Sequence, residues 1–415
     1  MDKDTTKSTF MKYLSPLDTE KMLDEIRTLG LDKYTKKLDA ITFTQLLVFG
    51  QIQQVTSLTN LSGLLNEDPK LQAQLGLASI STSQLSRKLR METRFLESVF
   101  RRCVDQNIQA LGWKKATNRL GRMNLVDSST ITMCLSQYPW ASFQRDKAGV
   151  KLHLRLVFMN ERVYPDKATL TPARPADTTQ MDELISCDEN ALFVFDRGYV
   201  DYRKFDVYCQ SGTKFVTRLR HNAGTMAVLE ERPVAENSPV LRDAVIRLGS
   251  EFRSMAHPTR RIEALDKEGQ RVIFLTNDLT LPAEEICDLY RNRWQIELFF
   301  KWIKQHLTVK QLYGKSENAV YNQLRIALIT FCLLVLLQAR VKHSGRLIAV
   351  YKSLQRHWAE KFDTFVFYVT RPPTRRSCGR RRMNHEQTFT QTLQQYVNGD
   401  VGHLETSEYD PIFIR

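Results

Sequence analysis

The strongest constraint on the fold of this 415-residue chain is a change of hydrophobic period, made twice along its length. Up to about residue 115, apolar side chains recur every three or four positions, which calls for helices with one buried stripe. "TFTQLLVFGQIQQV" (42–55) is one such run, and Ser57 is placed to cap another through "LTNLSGLL". From Ser81 the stripe continues through Leu85, Leu89, Leu96, Val99, Cys103 and Ile108 to Leu111. The pattern then switches to short apolar or alternating runs: "MNLVD" (123–127), a hairpin over 149–172 turning about Asn160, "ALFVFD" (191–196) and "KFVTRLR" (214–220). These predict a sheet with helices between its strands. Residues 221–276 are charged and turn-rich, ending in "QRVIFLTN", and read as a β-rich insertion. Helical period returns from Pro282 to His306 and again after Arg325.

The expected organisation is therefore α/β in five parts. Residues 1–115 form a helical N-terminal unit, 116–220 and 277–345 the two halves of the core, 221–276 the insertion between them, and 346–415 a helical, basic C-terminal region. That last region holds "RPPTRRSCGRRR" (371–382), which reads as a phosphate-binding strap or as a solvated linker.

Charge narrows the partner. Sixty Lys and Arg against 46 Asp and Glu leave +14, which favours a polyanion such as nucleic acid. "SISTSQLSRKLR" (79–90) opens on small polar residues and turns basic. It reads equally as the reading helix of a helix-turn-helix or as a solvated basic face. Seven cysteines with no CxxC pair suggest neither a disulfide framework nor a zinc cluster, so a reducing cytoplasm is expected. The N-terminus "MDKDTTKSTF" lacks the apolar stretch of a signal peptide. "IALITFCLLVLLQA", from Ile326, is shorter than the ~20 residues of a membrane span and reads as a buried core helix.

Two aspartates close apolar strand-like runs: Asp127 in "NLVDSST" and Asp196 in "FVFDRGY". Acids at strand ends project into clefts, although a single one is more often a turn or cap residue. A third acid stands in "DLYRNRWQIELFFKWIK" (288–304). At ~100° per residue, Tyr290, Arg293, Glu297 and Lys304 fall within a sector about 60° wide on one helix. Arg293 and Glu297 could be a solvated i,i+4 pair, worth only ~0.2–0.5 kcal/mol. The surrounding Trp294, Ile296, Leu298, Phe299 and Phe300 instead bury most of the helix and turn its polar strip toward a ligand or the interior.

Tyr, Arg, Glu and Lys at these spacings resemble the YREK signature of the insertion-sequence-four family of bacterial DDE transposases, and all four positions match. Asp127 in "LVDSS" and Asp196 in "FDRGY" resemble that family's first two acids. The resemblance covers about residues 116–345, with 69 residues between the first two acids and 101 between the second and third. It implies a ribonuclease-H-like catalytic core interrupted by the insertion, on which Asp127, Asp196 and Glu297 converge as catalytic and metal-binding residues. It also implies that the helical N-terminal unit binds DNA and that a homodimer forms in the DNA complex.

The chemistry expected is phosphodiester cleavage with two Mg²⁺ ions, with Mn²⁺ a possible substitute, because paired ions activate the attacking oxygen and stabilise the leaving one. Asp127 is expected to bridge the ions while Asp196 and Glu297 each hold one. Water attack then frees a 3′-OH at the element's end, and that hydroxyl attacks target DNA; neither the nearby serines nor His153 is needed as a nucleophile. Tyr290, Arg293 and Lys304 are expected to grip DNA phosphates, with Lys147, Lys151 and Arg197 as further contacts. Trp294 and Trp302 read as core residues, or else as base-stacking ones.

The expected partners are double-stranded terminal inverted repeats and target DNA, with no membrane. Relatives that form a DNA hairpin use a Trp on the last strand of the insertion; "RVIFLTN" has none, which leaves that intermediate open. The rival readings are a catalytically silent, domesticated DNA-binding protein and a structure-specific nuclease of the same fold.

Overall fold

The computed structural model describes residues 7–371 apart from 18, 112–121, 160, 161, 189, 237, 252 and 267, together with 390 and 394. The arginine-rich arm therefore lies outside the described residues, save Arg371.

Helices come first: α1 (Thr9–Leu14), α2 (Thr19–Leu29), α3 (Ala40–Ile52), α4 (Leu58–Glu67), α5 (Pro69–Leu75), α6 (Thr82–Leu89) and α7 (Thr93–Leu111). Their starts follow local chemistry, since the side chains of Ser8, Asp39, Ser57, Asp68 and Ser81 each accept first-turn N–H bonds. Ser81 and Gln84 cap each other reciprocally. The apolar stripe running on from Ser81 is carried by α6 and α7, separated by a turn in which Arg90 and Met91 donate to Arg87 and Lys88 carbonyls. Much of the basic face is neutralised internally: Lys88 pairs with Asp32, Arg101 with Glu97 and Arg102 with Glu25. Arg87 and Arg90 stay exposed, with no acidic partner among the described residues.

The sheet is built from β1 (Arg122–Cys134), β2 (Ser142–Gln144), β3 (Lys147–Met159), β4 (Arg162–Pro172), β5 (Ala191–Phe195), β6 (Lys214–Leu219), β7 (Thr225–Arg232), β8 (Val240–Ser250), β9 (Arg253–Ser254), β10 (Thr259–Leu265) and β11 (Arg271–Thr276). Helices α8 (Met181–Leu184) and α9 (Tyr202–Gln210) flank β5 in sequence. The order is β2-β3-β1-β5-β6-β11-β10-β8-β7, with β4 on β3 and β9 on β8. β1, β5 and β6 run parallel, whereas β3, β4 and β11 are antiparallel to their neighbours. Because β11 pairs with β6, strands from 221–276 extend the same sheet. All five residues of β5 are buried, as expected of a central strand covered on both faces. Leu192 and Val194 join the main core, while Phe193 and Phe195 face a second one with Phe205 and Phe215.

The remaining helices are α10 (Ala283–Arg291), α11 (Trp294–His306), α12 (Glu317–Arg340), α13 (Leu347–His357) and α14 (Phe362–Thr370). α12 is long and apolar enough to cross a membrane by composition, yet its apolar window is packed inside the fold. Phe331 meets Phe299 and Trp302 of α11 edge to face, and Thr330 accepts from the Tyr13 hydroxyl. Buried Asn322 donates to the Leu89 and Met91 carbonyls at 2.9 Å each, tying the α6–α7 turn to this central helix. Asn322→Ala strips one buried and one partly buried carbonyl of their donor. Denaturant unfolding should show a loss of about 1–3 kcal/mol; an unchanged midpoint would mean that the turn is held without α12.

Candidate active site

β5 stops while its neighbour continues. The parallel ladder between β1 and β5 ends at Val126↔Phe195, so Asp127 and Asp196 emerge at the same level on strands spaced about 4.8 Å apart. Asp127 does not end its strand, as the sequence suggested. β1 runs on to Cys134 against β3, with Asp127 opposite Leu154, because "SSTITMC" keeps β-forming residues beyond the acid. What ends there is the pairing with β5. Asp196 does follow the last residue of β5 and leads into a 3₁₀ turn, Arg197–Tyr199.

The stretch from Pro282 to His306 is two helices rather than one. Between α10 and α11 the backbone tightens into i→i+3 bonds, from Arg293 N–H to Tyr290 O (2.9 Å) and from Ile296 N–H to Arg293 O (3.1 Å). The Asn292 side-chain amide donates to the Asp288 carbonyl at 3.2 Å, satisfying the acceptor its own N–H would use in an α-helix. In a 3₁₀ turn residues i and i+3 eclipse, and the Arg293 guanidinium accordingly stands 5.7 Å from the centroid of the Tyr290 ring. Tyr290 therefore belongs to α10, Arg293 to the junction, and Glu297 and Lys304 to α11.

Arg293 is the hub. Its Nη1 donates to Asp127 Oδ2 at 3.1 Å and its Nη2 to Glu297 Oε1 at 2.5 Å, all three side chains being roughly four-fifths buried. The Tyr290 hydroxyl donates to Asp196 Oδ1 at 3.4 Å. The three acids named from the sequence thus meet around one arginine and one tyrosine. Burial raises the Asp127 pKa from 3.8 to about 7, against the pull of Arg293 and the Ser128 N–H, with Glu297 and Asp196 adding repulsion. Burial also raises Glu297, opposed by Arg293. For Arg293, burial works against the charge but Tyr290, Glu297, Asp127 and Asp196 together outweigh it and raise its pKa.

Other sequence-named residues divide. Lys304 donates to Ser129 Oγ at 2.7 Å, on the strand that carries Asp127, and burial lowers its pKa. Arg197 is exposed directly beside Asp196, and Lys151 bonds Asp177 rather than facing outward. Lys147 lies opposite Cys134, seven residues along β1 from Asp127 or about 23 Å at strand rise, and does not join the cluster. Trp302 is core, packed on Phe331 and Tyr351, while Trp294 is half-buried. Buried His153 has its pKa pushed down to about 4 by desolvation and is neutral at pH 7. Arg218 was not singled out from the sequence. It sits half-buried on β6, close enough to Tyr290 to bear on its ionisation, and only its place inside the run "KFVTRLR" could have flagged it.

The donor set suits a hard divalent ion in kind, since the three acids offer only oxygen. As the side chains stand, no three His, Cys, Asp or Glu among the described residues are gathered tightly enough to hold an ion. The Arg293 fork is bonded to two of the three acids.

Residues 119–333 match the family model of the transposase DDE domain, a span of just over half the chain that includes every residue from Asp127 to Lys304. The chain belongs to the DDE transposase family. It is 35% identical over 226 residues to y4zB of Sinorhizobium fredii, named as a transposase, covering 53% of this chain and 62% of that protein. To a protein of Geobacillus stearothermophilus named as the transposase of insertion sequence element IS5377, it is 30% identical over 265 residues, 62% of this chain and 68% of the relative. The first match therefore spans a little under two thirds of the relative's length. Among solved structures it is similar to a piggyBac transposase in a synaptic complex with hairpin DNA, with TM-score 0.46 and 11% identity over 99% of this chain and 88% of that one.

For this family member without added metal, the raised Asp127 pKa fixes a sign. A carboxyl with folded pKa near 7 and unfolded value 3.8 contributes stability that is fully present below pH 3.8 and lost as pH rises through about 7. In chelator, Asp127→Asn should melt higher than the natural chain at pH 8, by about 2 °C or more, and alike at pH 4. Identical melting at both pH values would contradict the raised pKa.

Proposed function

We propose that the chain is a DNA transposase of a bacterial insertion sequence, which binds element ends and catalyses metal-dependent strand cleavage and strand transfer. The carrying observation is the meeting of Asp127, Asp196 and Glu297 around Arg293 and Tyr290, within the span that matches the family model. We read the order β4-β3-β1-β5-β6, with antiparallel β3 and β4 and parallel β5 and β6, as a ribonuclease-H-like sheet extended through β11 by the 221–276 strands. The helical unit of residues 1–115 is assigned to end binding, and a homodimer to the DNA complex. The setting is the cytoplasm, at the nucleoid.

Asp127, Asp196 and Glu297 would hold two Mg²⁺ or Mn²⁺ ions, which as Lewis acids activate an attacking oxygen and stabilise a leaving one. The chain's own part is electrostatic and positional. Arg293 holds Asp127 and Glu297 in one cleft, and its planar fork would suit a DNA phosphate in two-point contact only when released from those two acids. Tyr290 orients the Asp196 carboxylate through its hydroxyl. Lys304, anchored on Ser129, adds a point charge beside the strand that carries Asp127. Arg197 and Arg218 widen the cationic rim, and their phosphate contacts set register without reading sequence.

The test is separation of binding from cleavage. Glu297→Gln and Asp196→Asn should retain gel-shift binding to the element's end yet lose Mg²⁺-dependent nicking; cleavage at the natural rate would remove those residues from the centre. Arg293→Ala should weaken strand engagement and shallow the salt dependence of binding by roughly one phosphate contact. A salt slope equal to that of the natural chain would argue against phosphate contact by Arg293.

A further inference from the structure

Among the described residues, no strand pairing joins β1 to the chain that carries Asp196 beyond Val126↔Phe195. Two acids that serve one centre nevertheless need a separation held to about 0.5 Å. A contact outside the ladder must register them. Asp177 is placed to do so, at the first position of the 3₁₀ turn Asp177–Gln180 that follows β4. Its Oδ1 accepts from Ser128 Oγ at 3.0 Å and from Lys151 Nζ at 3.0 Å, with His153 Nδ1 at 3.7 Å. Ser128 in turn donates its backbone N–H to Asp127 Oδ1 at 2.7 Å. On the opposite side, the Asp177 turn lies beside the Arg197–Tyr199 turn that follows Asp196, and Asp177 Oδ2 faces the open side of Gly198, where an added Cβ would stand 3.7 Å away.

The Asp177 turn is itself held firmly. Lys151 Nζ donates to the Pro175 carbonyl at 3.1 Å, and Lys204 Nζ, on α9, donates to the Thr178 carbonyl at 3.0 Å. Lys151 and Asp177 are only 17% and 26% exposed, so their pairing is little screened by solvent. A carboxylate oxygen already committed to an ammonium and a hydroxyl is poorly placed to ligate a cation, which leaves it a supporting part.

We propose that Asp177 is a positioning residue that clamps the strand bearing Asp127 to the turn bearing Asp196 and so sets the separation of the two acids. The clamp acts through the hydrogen bond to Ser128 on one side and through the close approach of Asp177 to Gly198 on the other. It rests on the reading of Asp127 and Asp196 as metal-holding catalytic acids, and the experiment separates the two ideas.

Mn²⁺ alone is titrated calorimetrically into the full chain without DNA, and nicking of a supercoiled plasmid carrying the cloned element is followed against Mg²⁺ concentration. Asp177→Ala should weaken Mn²⁺ binding about 10-fold or more and raise the half-saturating Mg²⁺ in step, with unchanged gel-shift affinity for a duplex copied from the element's end. Asp177→Asn keeps an acceptor oxygen and should recover most of the loss. Unaltered Mn²⁺ affinity in a folded Asp177→Ala overturns the clamp. If that variant does not fold, Ser128→Ala removes a single bond and should shift Mn²⁺ affinity in the same direction; no shift there overturns the clamp equally. Asp127→Asn supplies the control. If it binds Mn²⁺ and nicks normally, the catalytic reading fails and the clamp with it; if it loses both while Asp177→Ala loses neither, only the clamp fails.

Discussion

Three carboxylates gathered in a mostly buried cleft repel one another and lose hydration, and the structure depends on a single guanidinium to make that arrangement tolerable. Arg293 bonds Asp127 and Glu297 through separate nitrogens, and Tyr290 carries the arrangement on to Asp196. Its compensation is incomplete, since burial still drives Asp127 to about 7 and Glu297 upward. A cleft that leaves two acids short of positive charge is one that gains by admitting cations. The same electrostatic shortfall that weakens the metal-free fold thus creates the affinity the proposed chemistry needs.

Rigid scaffolding makes such a cluster possible. Asp127 rides on a central strand anchored by β3 along its length, and Asp196 leaves a neighbouring strand buried on both faces. Glu297 is carried by α11, whose Phe299 and Trp302 are locked against Phe331 of α12. α12 also receives Tyr13 and supports the α6–α7 turn through Asn322, so the N-terminal helices and the acid-bearing elements share one packed core.

The acids were legible because their surroundings are unusual: apolar runs closing on Asp127 and Asp196, and a Glu among aromatic and basic residues. The strand pattern located β3, β4, β5 and β6 because alternation and apolar runs report burial directly. Two local features differ from what the sequence predicts. The apolar run closing on Asp127 predicts a strand end there, whereas a strand's limit depends on which neighbour continues beside it, and β3 does. The apolar period predicts an unbroken helix through Arg293, because period alone cannot sense a side-chain amide competing for the Asp288 carbonyl. Arg218 and Asp177 passed unnoticed because nothing in their own neighbourhoods in sequence marks them; their importance lies in what crosses over from distant segments.

What the sequence determined by itself was an α/β class of fold, the local settings that make Asp127, Asp196 and Glu297 stand out, and the cationic group around Glu297, because periodicity, charge and residue chemistry are local properties. The tertiary structure alone decided that Arg293 lies between Asp127 and Glu297, that the 221–276 strands continue the sheet through β11, and that Ser128, next to Asp127, bonds Asp177, 49 residues on. Apart from the i,i+4 contact of Arg293 with Glu297, those relations join residues far apart in sequence, 166 positions for Arg293 and Asp127, and they depend on strand register and packing rather than on any property that a short stretch of sequence carries.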